Sequence, residues 1–359
     1  MKLTLHAQLL AVLASLLPLA AVAATQAPAM PAGGWKLSNI DLRGRDREAA
    51  IVFEFTVKAD GSLADIVPVA GFHDAKYVLY LTQAVRTQKM VPASVDGKPA
   101  DFHGYRMLLQ VTLPSVAATG SGFGQRYQQA TALVKAGQPE AGAKAIEAMI
   151  AGGISSNFEF AFLQAALVPI YAQLGRNHDA LLASQLATLH NGPQQAFSPT
   201  GMVLSAKPDP RWGYILARDV VPNLLRQQFM LAVALQDSVS ALSAHAQLAA
   251  IAPLPDDDPV AIRARTLQQR ALSLEPIVAP VQLVGGTWTY RPMRRVVALA
   301  DVQGGTVKSV RLHCAFHQQD MPAVAGESWV LKPEWGDCAL ALAGDPGTRL
   351  NVRETSAAP

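Results

Sequence analysis

Cysteine is scarce: the chain of 359 residues has two. So low a count excludes a disulfide-dense scaffold, a zinc ribbon and an iron–sulfur ferredoxin. Charge is scarce as well, 16% of residues against roughly 25% in an average soluble domain. Lys+Arg number 30 and Asp+Glu 27, a net charge of +3, and no stretch clusters the basic residues as nucleic-acid binding requires. Aromatics make up only 6%, yet 50% of the chain is apolar. That excludes long intrinsic disorder, which needs low hydrophobicity and high net charge. At roughly 100–200 residues per domain, the length expects two or three domains, each with its own core.

Motifs of catalysis are missing too. No histidine is followed by glutamate, so H-E-x-x-H is absent. Phosphate loops, G-x-G-x-x-G, S-x-x-K and C-x-x-C are also absent. Gly120-Ser121-Gly122 is not a nucleophile elbow, because Thr119 and Phe123 stand where the outer glycines of G-x-S-x-G would be. The balance favours a protein that is not an enzyme and holds no cofactor or metal. A triad assembled from distant residues leaves no such trace, so an enzyme with polar groups converging in an interdomain cleft stays open as an alternative.

The amino terminus carries an export signature. Met1-Lys2 is a short basic start, Leu9 to Leu17 an apolar run, Pro18 a helix breaker, and Ala21-Val22-Ala23 a small-x-small cleavage pattern. Cleavage after Ala23 or Ala24 leaves an exported, periplasmic chain with no stable membrane span. The alternative keeps residues 3–24 as an uncleaved anchor, since they approach the roughly 20 apolar residues of a spanning helix. Residues 24–34 are an Ala/Pro/Gly linker.

The first block, 35–114, alternates at period two. Ile51, Phe53, Phe55 and Val57 share one strand face. Asp60-Gly61 marks a hairpin turn, and Leu63 to Val69 the return strand. Residues 74–90 read as a helix ended before Pro92. Asp96-Gly97 is another turn, after which Tyr105, Met107, Leu109, Val111 and Leu113 alternate as a third strand. The order is ββαβ.

"FTVKADGSLADIVPVAG", "AVRTQKMVPASVDGKPA" and "RMLLQVTL" follow one another here. With Asp60-Gly61, Arg86, Pro92-Ala93 and Asp96-Gly97-Lys98-Pro99, this block resembles the carboxy-terminal domain of TonB-type energy transducers. The resemblance covers about 80 residues. It implies that the last strand offers an edge on which a partner peptide adds as a further strand. It also implies partners among envelope proteins or outer-membrane receptors. Tyr105, Met107, Leu109, Val111 and Leu113 are then the candidate partner-binding strand. The competing reading is that this strand is internal or self-paired, since exposed edges are hazards that proteins cover.

After a small-residue linker at 115–124, the second block, 125–276, is rich in Ala, Leu and Gln and repeats itself. Turns fall at Gly137, Gly175 and Gln236, and small residues follow five places later at Gly142, Ala180 and Ala241. The intervals are 175 − 137 = 38 and 236 − 175 = 61, so the third unit carries an insertion. Tyr171, Leu174-Gly175 and Ala180-Leu181 make the block resemble tetratricopeptide-type helical hairpins. The insertion, 191–212, holds Phe197 and Trp212 as a candidate partner loop. The blander alternative is a surface crossover with Trp212 tucked into the core. Asp258-Pro259 reads as cap and first residue of one more helix, and Asp256 to Asp258 lacks the ligand spacing of a calcium loop.

The third block, 280–356, returns to short alternating strands, as in a small β-sandwich or barrel. Cys314 and Cys338 both lie in it. In an oxidising compartment they are expected to pair, closing a loop of 338 − 314 = 24, worth about 3 kcal/mol. His313 and His317 tempt a metal reading. Four residues of strand would separate them by about 13 Å, too far for one ion.

The whole reads as an α+β multidomain protein. It comprises a ββαβ domain similar to the TonB carboxy-terminal domain, a helical hairpin-repeat domain and a disulfide-pinned β domain. The leading expectation is a periplasmic protein–protein interaction scaffold. The main alternative is a genuine energy transducer that keeps residues 3–24 as its anchor.

Overall fold

The computed structural model describes residues 25–29, 47–72, 75–111, 119–189, 195–197, 203–204, 216, 219–283 and 285–356. The export segment, Leu113 and Trp212 lie outside the described residues. The chain is an α+β protein. No helix among the described residues is long and apolar enough to cross a membrane.

The amino-terminal part comprises β1 (Thr25–Gln26), β2 (Ala49–Val57), β3 (Leu63–Phe72), α1 (Ala75–Arg86), β4 (Ala93–Val95), β5 (Lys98–Ala100) and β6 (Phe102–Val111). Ile51, Phe53, Phe55 and Val57 are buried against Tyr77, Leu81 and Val85 of α1. The opposite face of β2 is covered as well: Ala50, Val52 and Thr56 are buried, and Ala50 and Phe72 belong to the core of the helical block. At the Asp96-Gly97 turn both residues have positive φ, 52° and 73°, the twist that a two-residue hairpin requires. Thr25–Gln26, read above as linker, instead pairs with β4.

The helix expected to run to residue 90 ends at Arg86. The Thr87 hydroxyl donates to the Ala84 carbonyl at 2.8 Å. Beyond it, Met90 N–H donates to the Gly61 carbonyl at 2.9 Å and Val91 N–H to the Ala29 carbonyl at 2.8 Å. Tertiary backbone bonds therefore claim this stretch before Pro92 can act as a stop.

The helical block comprises α2 (Phe123–Lys135), α3 (Pro139–Ala151), α4 (Asn157–Gln173), α5 (Asn177–Thr188), α6 (Val220–Ala234), α7 (Ser238–Ile251) and α8 (Pro259–Leu272). Gly137, Gly175 and Gln236 sit in the left-handed region, with φ of 77°, 71° and 59°. Each closes the same pair of bonds. Gly137 N–H donates to Val134 and Gln138 N–H to Leu133; Gly175 donates to Ala172 and Arg176 to Tyr171; Gln236 donates to Val233 and Asp237 to Ala232. This is the Schellman arrangement, which satisfies the last carbonyls of a helix. The small residues at 142, 180 and 241 then make the first backbone bond of each following helix, to the carbonyls of Gln138, Arg176 and Asp237. Of the three turns only Gln236 lacks glycine, and a side chain in this region costs energy. Gln236→Gly is therefore expected to raise stability by about 1 kcal/mol. An unchanged or lower denaturation midpoint would contradict this.

The insertion forms β7 (Gln195–Phe197) and β8 (Val203–Leu204). β7 pairs in parallel with Leu109 to Val111 of β6, giving a sheet of order β3-β2-β6-β7-β8.

The carboxy-terminal part comprises β9 (Ile277–Gln282), β10 (Thr287–Tyr290), β11 (Val296–Gln303), β12 (Val307–Cys314), β13 (Gln318–Met321), β14 (Ser328–Val330), β15 (Cys338–Gly344) and β16 (Arg349–Thr355). Its first strand starts three residues before the boundary read from composition. Two four-stranded sheets, β10-β15-β12-β13 and β14-β11-β16-β9, enclose one apolar cluster that includes Leu299, Leu312, Trp329, Leu340 and Val352. Cys314 and Cys338 are register partners across β12 and β15 and form a disulfide. His313 and His317 are not on one strand: β12 ends at Cys314, and His317 lies in the following turn, stacked on Trp335 at 4.1 Å. No group of His, Cys, Asp or Glu among the described residues could hold a metal.

Backbone and buried polar bonds join the three parts. Glu48 N–H donates to the Ser155 carbonyl, Asn157 N–H to Glu48 Oε2, and Asn157 Nδ2 to the Val111 carbonyl. The buried Arg294 donates to the carbonyls of Glu275 and Arg270, tying the last helix to the β block.

Candidate functional site

A cleft of about 910 Å³ opens where the three parts meet. Each part contributes one wall. The first is the second face and free edge of β6, with Phe102, His103, Gly104, Arg106 and its β2 neighbour Glu54. The second is α5, with His178, Leu181, Leu182 and Gln185. The third is the outer face of the β10–β15–β12 sheet, with Thr287, Thr289, Ala339, Ala341 and His313, and Trp288 reaches the cleft from the core side of the edge strand β10.

Four of the five charged side chains that line the cleft are paired, Asp337 being the other. Arg106 Nε donates to Glu54 Oε2 at 2.7 Å across β2 and β6. Arg291 meets Asp237 at 3.2 Å and also donates to Ser240 Oγ. The histidines are not oriented by carboxylates. His103 Nδ1 lies 3.3 Å from Thr56 Oγ1. His178 stands edge-on to Trp288, ring centres 4.0 Å apart, and its buried Nε2 has no hydrogen-bond partner among the described residues. Burial holds both imidazoles below the usual histidine range; the Asp101 charge opposes this at His103, and the Asp179 charge at His178. Both are therefore neutral near neutral pH.

The candidate strand residues divide. Leu109 and Val111 are fully buried and Tyr105 and Met107 half-buried, all packed in the α1 core, with the Tyr105 ring 5.3 Å from Phe55. These side chains are core, so a partner could use only the backbone edge of β6. That edge is taken at both ends. His103 N–H donates to the Ala315 carbonyl at 2.7 Å, and β7 occupies Leu109 to Val111. Phe197, the loop residue, is in β7 opposite Val111. The candidate strand and candidate loop thus meet each other. Between the two occupied ends, Gly104 to Leu108 have no strand neighbour on that side among the described residues.

Sequence reading missed the cleft. Its histidines, at 103, 178 and 313, come one from each part and share no spacing. Of the three, only His313 stood out in the sequence, through its spacing from His317. No known family model matches the chain, and no curated protein matches it.

Proposed function

We propose that the protein is an exported, periplasmic interaction scaffold that holds an extended segment of a partner protein along the free edge of β6, with no chemistry performed on it. The reading rests on the bracketed edge at Gly104 to Leu108, which borders a cleft with room for a chain. An unpaired strand edge supplies affinity through main-chain bonds and leaves specificity to the side chains around it. The surroundings suit that role: Trp288, Leu181 and Leu182 offer apolar contact, and the Arg106–Glu54 pair offers polar contact. Holding suits these residues better than turnover. Two of the cleft's three carboxylates, Glu54 and Asp237, are paired with arginines, its histidines have no carboxylate hydrogen bond among the described residues, and its cysteines are bonded to each other. A general base needs an aligned partner and a nucleophile within reach. The run β2-β3-α1-β6, with the short β4 and β5 between α1 and β6, and the repeated helical hairpins are compatible with the resemblance to TonB-type carboxy-terminal domains and tetratricopeptide-type repeats. Both are modules of protein recognition.

The test is selection of random peptides on the purified mature protein, followed by amide exchange of the complex. Selected peptides are expected to slow exchange at Gly104 to Leu108. Protection confined to another surface, or hydrolysis of the peptides, would overturn the reading.

A further inference from the structure

The Cys314–Cys338 bridge lies at the end of its ladder, beside the contact that closes one end of the β6 edge. Cys314 is the last residue of β12 and Cys338 the first of β15, so the bridge is the final rung between them. Beyond it the chain turns at Ala315 to His317. On its inner side the turn is held by three backbone bonds: Cys314 N–H to the His317 carbonyl, Ala315 N–H to Asp337 and Phe316 N–H to Trp335. On its outer side the same turn reaches the first part of the molecule. The Ala315 carbonyl accepts the His103 N–H at 2.7 Å, and the Phe316 ring stands edge-on to Phe102 at 5.3 Å. Cys314 is 3% exposed, while Cys338 is half-buried, and both line the cleft. A thiolate entering from the cleft therefore meets the Cys338 sulfur first.

We propose that this disulfide is a reducible latch: while intact it presses the 315–317 turn against β6, and its reduction releases His103 and lengthens the free edge towards Phe102. The reductant is a dithiol. One thiolate attacks Cys338 Sγ, the S–S bond breaks, and Cys314 leaves as a thiolate that takes a proton from water. The second thiol of the reductant then attacks its own sulfur in the mixed disulfide and frees Cys338. Two electrons and two protons pass to the protein, and the reductant leaves as a disulfide. Strand ends open before strand centres. Loss of the terminal rung therefore acts on the turn, while the deeper rungs at Leu312–Leu340 and Val310–Leu342 keep the sheet together. The latch is a property of this chain alone and needs no partner.

Amide exchange on the purified mature protein tests it, oxidised and then reduced with dithiothreitol under native conditions. Reduction is expected to speed exchange at the His103 amide at least tenfold and to leave Leu312 and Leu340 unchanged. Phe316→Ala, with the bridge intact, is expected to speed His103 exchange as well. The proposal is overturned if dithiothreitol fails to reduce the folded protein, or if His103 keeps its protection in the reduced form or in Phe316→Ala. Equal loss at Leu312 and Leu340 would also overturn it, because the bridge would then clamp the whole sheet.

Discussion

Glu354→Ala is expected to destabilise the carboxy-terminal β part by about 4 kcal/mol, with Glu354→Gln costing under about 1 kcal/mol. Glu354 is fully buried on β16, inside the sandwich. One carboxyl oxygen accepts the Tyr290 hydroxyl, and the other accepts the backbone N–H groups of Met293 and Arg294 at 2.8 and 2.7 Å. Alanine leaves three donors without an acceptor in a place water does not reach, and each such group costs roughly 1–3 kcal/mol. Glutamine keeps the set. Its oxygen can face the two amides while its NH2 donates to Tyr290, because a hydroxyl accepts as readily as it donates. Burial raises the Glu354 carboxyl above its usual range, against the lowering effect of its hydrogen bonds. Its folded form therefore binds a proton before the unfolded form does. Stability tied to this group is fully present below the unfolded pKa and is lost as pH rises through the folded one. Relative to Glu354→Gln, the wild type should therefore gain stability as pH falls from neutrality. Denaturation followed by tryptophan fluorescence reads both effects. A glutamine variant as damaged as the alanine one would contradict this account.

What the sequence made legible was local chemistry. The period-two run from Ile51 to Val57, the Asp-Gly turn at 96–97 and the matched turns at 137, 175 and 236 each depend on residues close in the chain. Gln236 is instructive, because it was identified by its distance from Ala241 and not by its own propensity, which disfavours the left-handed conformation. What stayed hidden was tertiary. Alternation in β2 implies one buried face, yet Ala50 and Phe72 on the other side complete the helical core. The end of α1 is set by bonds to Gly61 and Ala29, at distances in sequence that no window covers. The β6–β7 pairing joins residues some 86 positions apart (195 − 109 = 86) and in parallel, a contact with no turn chemistry to announce it. The cleft is the same kind of feature. Its walls belong to three separately patterned segments, and only their packing brings His103, His178 and His313 to one place.

That packing depends on a second buried carboxylate, whose variants should rank differently. Glu159 is 2% exposed in the first turn of α4. Oε1 accepts the Gly120 N–H at 2.7 Å, and Oε2 accepts both the N–H and the hydroxyl of Ser155, at 2.7 and 2.9 Å. Its own N–H is capped by Ser156 Oγ at 3.1 Å. The neighbouring Ser155 carbonyl and Asn157 N–H are the groups that bind Glu48 at the start of β2. The carboxylate therefore organises the turn on which the first part docks. Glu159→Ala is expected to cost about 3 kcal/mol and to weaken the seam to the first part. Calorimetry should then show two transitions separating where the wild type has closer ones. Glutamine cannot rescue this site as it can at Glu354. The partner on the Oε1 side is a backbone N–H, which never accepts, so a glutamine NH2 placed there meets a donor. Turned the other way, the NH2 meets the Ser155 N–H. Glu159→Gln should therefore lose about 1–2 kcal/mol, between wild type and alanine. The two carboxylates differ only in whether one partner can reverse its hydrogen bond. Equal tolerance of glutamine at both positions would show that this difference does not govern their stability.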